Sequence, residues 1–202
     1  MSSIVISGDS SGSITLAAPS VAGTNTITLP ASTGTVALTT SGTPVADFWY
    51  LNASFSVPAS EVYLTTNLSQ LAFSGTGVTS SGMTNSSGTF TFPQTGLYRV
   101  FYAASFYSST NTARYCVGNI YVSTNGGSTY NQVAQGLGSI DAIVSASNTF
   151  TLATAETQIN VTNTSNVKLQ FSVNATNTVT CNPGGAPPAV TYMIFQRLGN
   201  SV

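Results

Sequence analysis

Residues 90 to 102, Phe-Thr-Phe-Pro-Gln-Thr-Gly-Leu-Tyr-Arg-Val-Phe-Tyr, decide how this chain is read. Phe90 and Phe92 alternate on a short strand that runs into Pro93. Its fixed φ and missing N–H suit a strand end. A tight turn follows at Gln94-Thr95-Gly96, where glycine takes a backbone conformation that other residues resist. A second strand opens on Leu97-Tyr98-Arg99-Val100. Phe90, Phe92, Tyr98 and Tyr102 then present large rings at alternating positions, the pattern of a strand with one buried face.

Working outward, the sequence predicts strands over 47–55, 61–66, 70–73, 89–92, 97–107 and 114–123. Further strands are predicted over 130–134, 142–145, 148–153, 158–162, 167–174 and 190–198. Asn125-Gly126-Gly127, between Tyr121-Val122 and Thr129-Tyr130, is a hairpin signal. Val167, Leu169, Phe171 and Val173 alternate, so one apolar face points inward. No segment sustains a 3.6-residue period. Many short strands with regular turns predict an all-β sandwich or jelly roll over 47–202.

Residues 1–46 differ. They contain no Phe, Tyr or Trp, and Asp9 is their only charged side chain. An imperfect repeat places Ile14-Thr15-Leu16 before Pro19 and Gly23, and Ile27-Thr28-Leu29 before Pro30 and Gly34. Short strands separated by Pro and Gly turns fit this pattern. So little apolar area cannot stabilise an independent fold. The segment is expected to be an extended arm held by something else, with Ile14, Leu16, Ile27, Leu29, Val36 and Leu38 as its anchoring side chains.

Composition excludes several chemistries. Apolar residues make up 42% of the 202 residues and charged residues only 4%, which supports a folded chain with an uncharged polar surface. Arg99, Arg114, Lys168 and Arg197 are scattered, so no basic stripe exists to neutralise phosphates, and nucleic acid is not an expected partner. No histidine is present, which removes Ser-His-Asp and Cys-His nucleophile systems and His-ligated zinc. The acids Asp9, Asp47, Glu61, Asp141 and Glu156 are far apart in sequence, although two could still meet in space as a glycosidase pair. No enzymatic activity and no cofactor are expected. Cys116 and Cys181 read either as a disulfide across neighbouring strands or as two buried apolar side chains. No run approaches membrane-span length and the N-terminus lacks a basic, apolar leader, so neither a membrane nor export is expected.

The Phe90–Tyr102 block resembles the F-T-x-P-x-x-G-x-Y signature of the C1q/TNF-like jelly roll, in which it joins two neighbouring strands of a trimeric sandwich. Tyr192-Met193-Ile194-Phe195-Gln196-Arg197-Leu198 is similar to that fold's last strand, and Asp47-Phe48-Trp49-Tyr50 to its aromatic first strand. The turn Thr164-Ser165-Asn166 departs from the Gly-Asp often found there but keeps turn chemistry. The resemblance implies a homotrimer, with Trp49, Tyr50, Phe90, Phe92, Tyr98, Tyr102 and Phe195 as core or trimer-contact residues. The arm resembles N-terminal segments of tailed-bacteriophage virion proteins, both tail-fibre-like and capsid-surface ones.

Phe101, Tyr102, Phe106 and Tyr107 read either as a carbohydrate groove or as core and trimer contact. By parity they place rings on both faces of their strand, so one ring face would stay wet in a lone sandwich. The stretch 181–189, rich in Pro and Gly, is either a contact loop or a stiff connection. Asn-x-Ser/Thr triplets at Asn52, Asn67, Asn85, Asn160, Asn163 and Asn174 follow from a Ser/Thr-rich composition.

Together these readings predict a phage virion structural protein, assembled in the host cytoplasm and displayed on the virion surface. It would be a trimeric capsid decoration or cement protein whose arm grips the major capsid protein or another virion protein. The alternative is a tail-fibre or receptor-binding tip that contacts host carbohydrate. A fibre needs a long shaft, and 46 extended residues reach at most about 150 Å.

Overall fold

The computed structural model describes residues 3–7, 10–17, 45–71, 82–143, 147–185 and 188–202. The chain divides into two compact units, Met1–Thr39 and Thr40–Val202. In the first unit, β1 (Ser3–Ser7) pairs antiparallel with β2 (Ser13–Ala17), with Ile4 opposite Leu16 and Ile6 opposite Ile14. Ile4, Val5 and Ile6 are all more than half exposed. Of the anchoring residues, Ile14 and Leu16 fall in β2, while Ile27, Leu29, Val36 and Leu38 lie outside the described residues.

Among its described residues the second unit holds thirteen strands, β3 to β15, in two antiparallel sheets. These are β3 (Ala46–Leu51), β4 (Phe55–Val57), β5 (Val62–Tyr63), β6 (Leu68–Gln70), β7 (Thr84–Ser86) and β8 (Thr89–Thr91). They continue as β9 (Gly96–Ser108), β10 (Ala113–Ser123), β11 (Asn131–Ile140), β12 (Thr149–Val161), β13 (Lys168–Ala175), β14 (Val179–Cys181) and β15 (Tyr192–Gly199). One sheet runs β11-β10-β13-β8-β7, with β5 also on β13. The other runs β4-β14-β9-β15-β3-β6, with β12 along the far side of β9. No helix occurs among the described residues, so none of them forms a helix long and apolar enough to cross a membrane.

The core lies between the sheets. Phe90 sits 5.4 Å from Phe171 and 5.3 Å from Phe195 between ring centroids, and Tyr102 packs 5.0 Å from Phe171. Trp49 meets Phe90 edge-on at 5.2 Å. Its indole N–H donates to Asp47, a buried carboxylate that also accepts from Gln70 Nε2 at 2.9 Å and the Met83 amide at 2.6 Å. Asp47 therefore ties β6 and the start of β7 to β3 from inside the sandwich.

The Phe90–Tyr102 block crosses from one sheet to the other. β8 belongs to the first sheet and β9 to the second, so Phe92 to Thr95 make the passage between layers. The Tyr98 hydroxyl donates back to the Gln94 carbonyl at 2.9 Å, and Arg197 Nε donates to the Thr95 carbonyl at 2.9 Å. Gly96 has φ of 150°, and a Cβ there would collide with Arg197 Nε. The rings of the signature fill the core, its proline stops the strand, its glycine allows the pass, and its tyrosine closes the loop.

The structure redraws several predicted strands. The span 47–55 breaks after Leu51, where the backbone amides turn to Thr191 and Asn67. The spans 148–153 and 158–162 fuse into β12, because Thr154 to Thr157 contain no breaker and pair with β9 throughout. The strand expected over 142–145 is absent at Ala142 and Ile143, and Val144 and Ser145 lie outside the described residues. The ladder of β10 instead extends β11 to Ile140. β7 and β14, each three residues long, gave no periodic signal. The hairpin falls where expected, with Gly126 and Gly127 at positive φ and β11 starting at Asn131. Cys116 and Cys181 are both free and buried, and burial pushes their thiols up to about 11 and about 12.

At one edge the sheets nearly touch. A Cβ on Gly136 of β11 would overlap the Thr154 carbonyl oxygen of β12, and one on Gly138 would lie 2.5 Å from Thr151 Oγ1. Only glycine lets the two backbones approach this closely.

Candidate interaction face

Strand pairing fixes which side chains share the outer face of the β9 sheet. Tyr50, Tyr192 and Ala103 stand side by side on β3, β15 and β9. Phe48, Ile194 and Phe101 form the next row, with Glu156 of β12 beyond. On the other side, Ser105 faces Leu152 and Tyr107 faces Phe150. Every second residue of each strand points this way, so the face follows from register alone.

The face is aromatic and partly exposed, with Phe48, Tyr50, Phe101, Tyr107 and Tyr192 half-buried. Phe48 stacks on Tyr192 at 5.0 Å and 17°, Phe101 lies 5.9 Å from Tyr192, and Tyr107 lies 5.6 Å from Phe150. Phe150 is 58% exposed, Leu152 52% and Ile194 37%. Single exposed apolar residues are ordinary, whereas a contiguous patch of rings marks an interaction surface.

Among the described residues, shallow cavities dent this face. One of about 190 Å³ lies among Arg99, Phe101, Ile194 and Gln196. One of about 210 Å³ lies among Phe48, Tyr50, Leu71, Pro188 and Ala189. Another, of about 380 Å³, includes Ser105, Phe150, Leu152, Ala189, Val190 and Tyr192 in its walls. Ala189 of the Pro/Gly-rich loop walls both of the latter two. The base of that loop is fastened: Thr191 Oγ1 donates to the Asn182 carbonyl at 2.6 Å and accepts from the Ser105 amide at 3.0 Å. The Asn182 amide donates to the Ser105 carbonyl at 2.8 Å. A stiff connection thus also shapes the contact face.

One ion pair sits at the edge of the rings. Arg99 Nε and Nη2 hold the two oxygens of Glu156 at 2.6 and 2.8 Å. The hydrogen bond from Arg99 holds the Glu156 carboxyl below its ordinary range, against a smaller opposing desolvation, and Glu156 in turn raises Arg99. No group of three or more His, Cys, Asp or Glu that could hold a metal occurs among the described residues.

The structure divides the sequence-predicted contact residues. Phe90, Phe92, Tyr98, Tyr102 and Phe195 are buried in the core, and Trp49 packs against it. Tyr50 alone of the seven stands on the outer face. Tyr102 and Phe106 point inward while Phe101 and Tyr107 point outward, which divides that ring cluster by parity. Phe48, Tyr192 and Ile194 lie in the stretches similar to the first and last strands but carry no contact signal of their own, and Phe150 and Leu152 carry none either. On β12 the large side chains Phe150 and Leu152 alternate with Thr and Ala, and alternation cannot say which side is the core.

No protein-family model matches the chain, and no curated protein matches it in sequence. Among solved structures, Eiger TNF from S. frugiperda superposes with a TM-score of 0.56 at 11% identity, covering 79% of this chain and 96% of that one. Murine APRIL at pH 8.0 superposes with a TM-score of 0.51 at 10% identity, covering 77% of this chain and 99% of that one. Such likeness speaks to fold, and with the two-sheet topology it makes this chain a TNF-like jelly-roll sandwich.

Proposed function

We propose that this chain is a non-enzymatic structural protein of a phage particle, a trimeric capsid decoration protein anchored by its N-terminal arm. The observation that carries the self-association is the exposed ring surface of the β9 sheet. The face has unlike ends: Phe150 and Leu152 project from β12, and an apolar hollow opens at Phe48, Tyr50 and Pro188. Projecting side chains of one copy can fill the hollow of the next, a head-to-tail contact that closes into a ring. The signature at Phe90–Tyr102 favours a ring of three.

The virion role rests on the arm. Its likeness to phage virion segments supports the setting. The β1–β2 hairpin, exposed and apolar at Ile4, Val5 and Ile6, supports an anchoring role. An isolated two-stranded hairpin is marginal in water, and free strand edges pair readily with another sheet. Three arms per trimer bind with avidity, so each contact can be weak.

The test is particle association. Full-length protein should join purified particles of the encoding phage, and a chain lacking residues 1–39 should stay folded but remain in the supernatant. Full decoration by the truncated chain would refute the anchoring role. Counting copies per virion separates the two virion readings: hundreds fit decoration, and a few or tens fit a tail-fibre or receptor-binding tip.

A further inference from the structure

The opposite sheet carries a different surface. On its outer face, side chains from β10, β11 and β13, together with Glu61, form one hydrogen-bonded network. Its floor is Asn119 and Ser172, which are 4% and 0% exposed. Asn119 Nδ2 donates to Ser172 Oγ at 3.0 Å and to Glu61 Oε1 at 3.2 Å. Asn119 Oδ1 accepts from Gln132 Nε2 and Gln135 Nε2, both at 3.1 Å. Glu61 Oε1 also accepts from the Tyr121 hydroxyl at 2.7 Å and from Ser172 Oγ at 2.5 Å. Three donors therefore converge on one carboxylate oxygen of an exposed side chain, and no described side chain donates to Oε2. Beside it, Tyr63 is 39% exposed, with its ring 5.4 Å from that of Tyr121 at 50°.

We propose that Glu61, Tyr63, Tyr121, Gln132 and Gln135, on this floor, form a binding site for an uncharged saccharide. The chemistry selects the ligand. An exposed tyrosine face accepts the C–H side of a pyranose ring. A carboxylate oxygen with spare lone pairs accepts from sugar hydroxyls, and exposed glutamine amides pair with the neighbouring ones. None of these residues is cationic, and Lys168 on β13 is engaged with Thr91 Oγ1 and the Thr164 carbonyl, each at 3.0 Å. An anionic ligand would meet Glu61 without a counter-charge. An apolar partner would strip water from a carboxylate and two amides, which is costly.

Preorganisation separates this site from an ordinary wet sheet face. Polar side chains on such a face usually pair with water and lose rotamer freedom only when a ligand arrives. Here the hydrogen bonds already fix Glu61, Tyr121, Gln132 and Gln135, so much of the ordering cost precedes binding. Burial first, then the Glu61 hydrogen bond, raise the Tyr121 phenol well above its usual range. The site lies within one subunit and does not depend on trimer formation or on the virion reading.

The test uses the full chain and saturation-transfer NMR with glucose, galactose, mannose, rhamnose and N-acetylglucosamine. N-acetylneuraminate serves as the anionic control. At least one neutral sugar should bind with millimolar affinity and show its ring C–H protons closest to the protein, and the control should not bind. Tyr63→Ala should weaken that binding about fivefold or more, the equivalent of about 1 kcal/mol for the lost ring contact. Glu61→Gln should weaken it as well, with the thermal midpoint of both variants reported as the folding control. The proposal is overturned if no neutral sugar binds, if N-acetylneuraminate binds equally well, or if binding survives in folded Tyr63→Ala.

Discussion

Two tyrosines on β9 make opposite predictions from similar burial. The Tyr98 hydroxyl closes the crossing loop through the Gln94 carbonyl, whereas the Tyr102 hydroxyl is buried with no hydrogen-bond partner among the described residues. Removing a made bond costs stability, and removing an unmade one relieves a desolvated group. Tyr98→Phe should destabilise the fold by about 1 kcal/mol, and Tyr102→Phe should be neutral or stabilising by up to about 1 kcal/mol. Denaturant unfolding of both variants checks this, and a destabilised Tyr102→Phe would show that its hydroxyl has a partner. Asp47 is the opposite case, because Asp47→Ala orphans an indole N–H, an amide side chain and a backbone N–H together. A loss of about 3 kcal/mol is expected for a charged acceptor serving three donors. The Arg99–Glu156 pair carries a pH signature. Glu156 is shifted down, so its contribution is present above the ordinary carboxylate range and is lost as pH falls through its lowered folded value. Glu156→Gln should flatten that acid-side slope of the thermal midpoint, by little, because both side chains are exposed.

At the scale of elements, the long paired strands were the legible part. β9, β10, β13 and β15 announce themselves by alternating apolar residues, and the hairpin at Asn125 by its glycines. The Phe90–Tyr102 block gave the two strands and the turn, but not that they belong to opposite sheets. That depends on β13 and β15, which arrive much later in the chain. The outer ring face was legible only as parity at Phe101 and Tyr107. Its other members lie on β3, β12 and β15, and strand order alone brings them together. The network around Glu61 left no trace in the sequence, since Glu61, Asn119 and Ser172 meet only through register. Gly136 and Gly138 looked like ordinary strand glycines, yet the pinch between β11 and β12 requires them. Gly136→Ala should destabilise by about 2 kcal/mol or more, because its Cβ meets backbone that cannot swing aside. Gly199→Ala, where nothing lies within 4 Å, should be nearly neutral and serves as the control.

At the scale of the molecule, the sandwich has two unlike outer faces. One is ringed with aromatics and dented by apolar hollows, and the other is polar and cross-bonded. Burying the first in a threefold assembly leaves the second to solvent, three times over. Phe150→Ser and Leu152→Ser should leave single-subunit folding intact, since both side chains are more than half exposed. Each should weaken assembly by more than about 1 kcal/mol if it fills a neighbour's hollow. Sedimentation velocity of the full chain at micromolar concentration shows whether the ring face is buried between copies. One species of three times the 20.7 kDa chain mass is expected, shifting toward the single subunit in Phe150→Ser. A stable lone subunit at that concentration, with the ring face left in water, would contradict it.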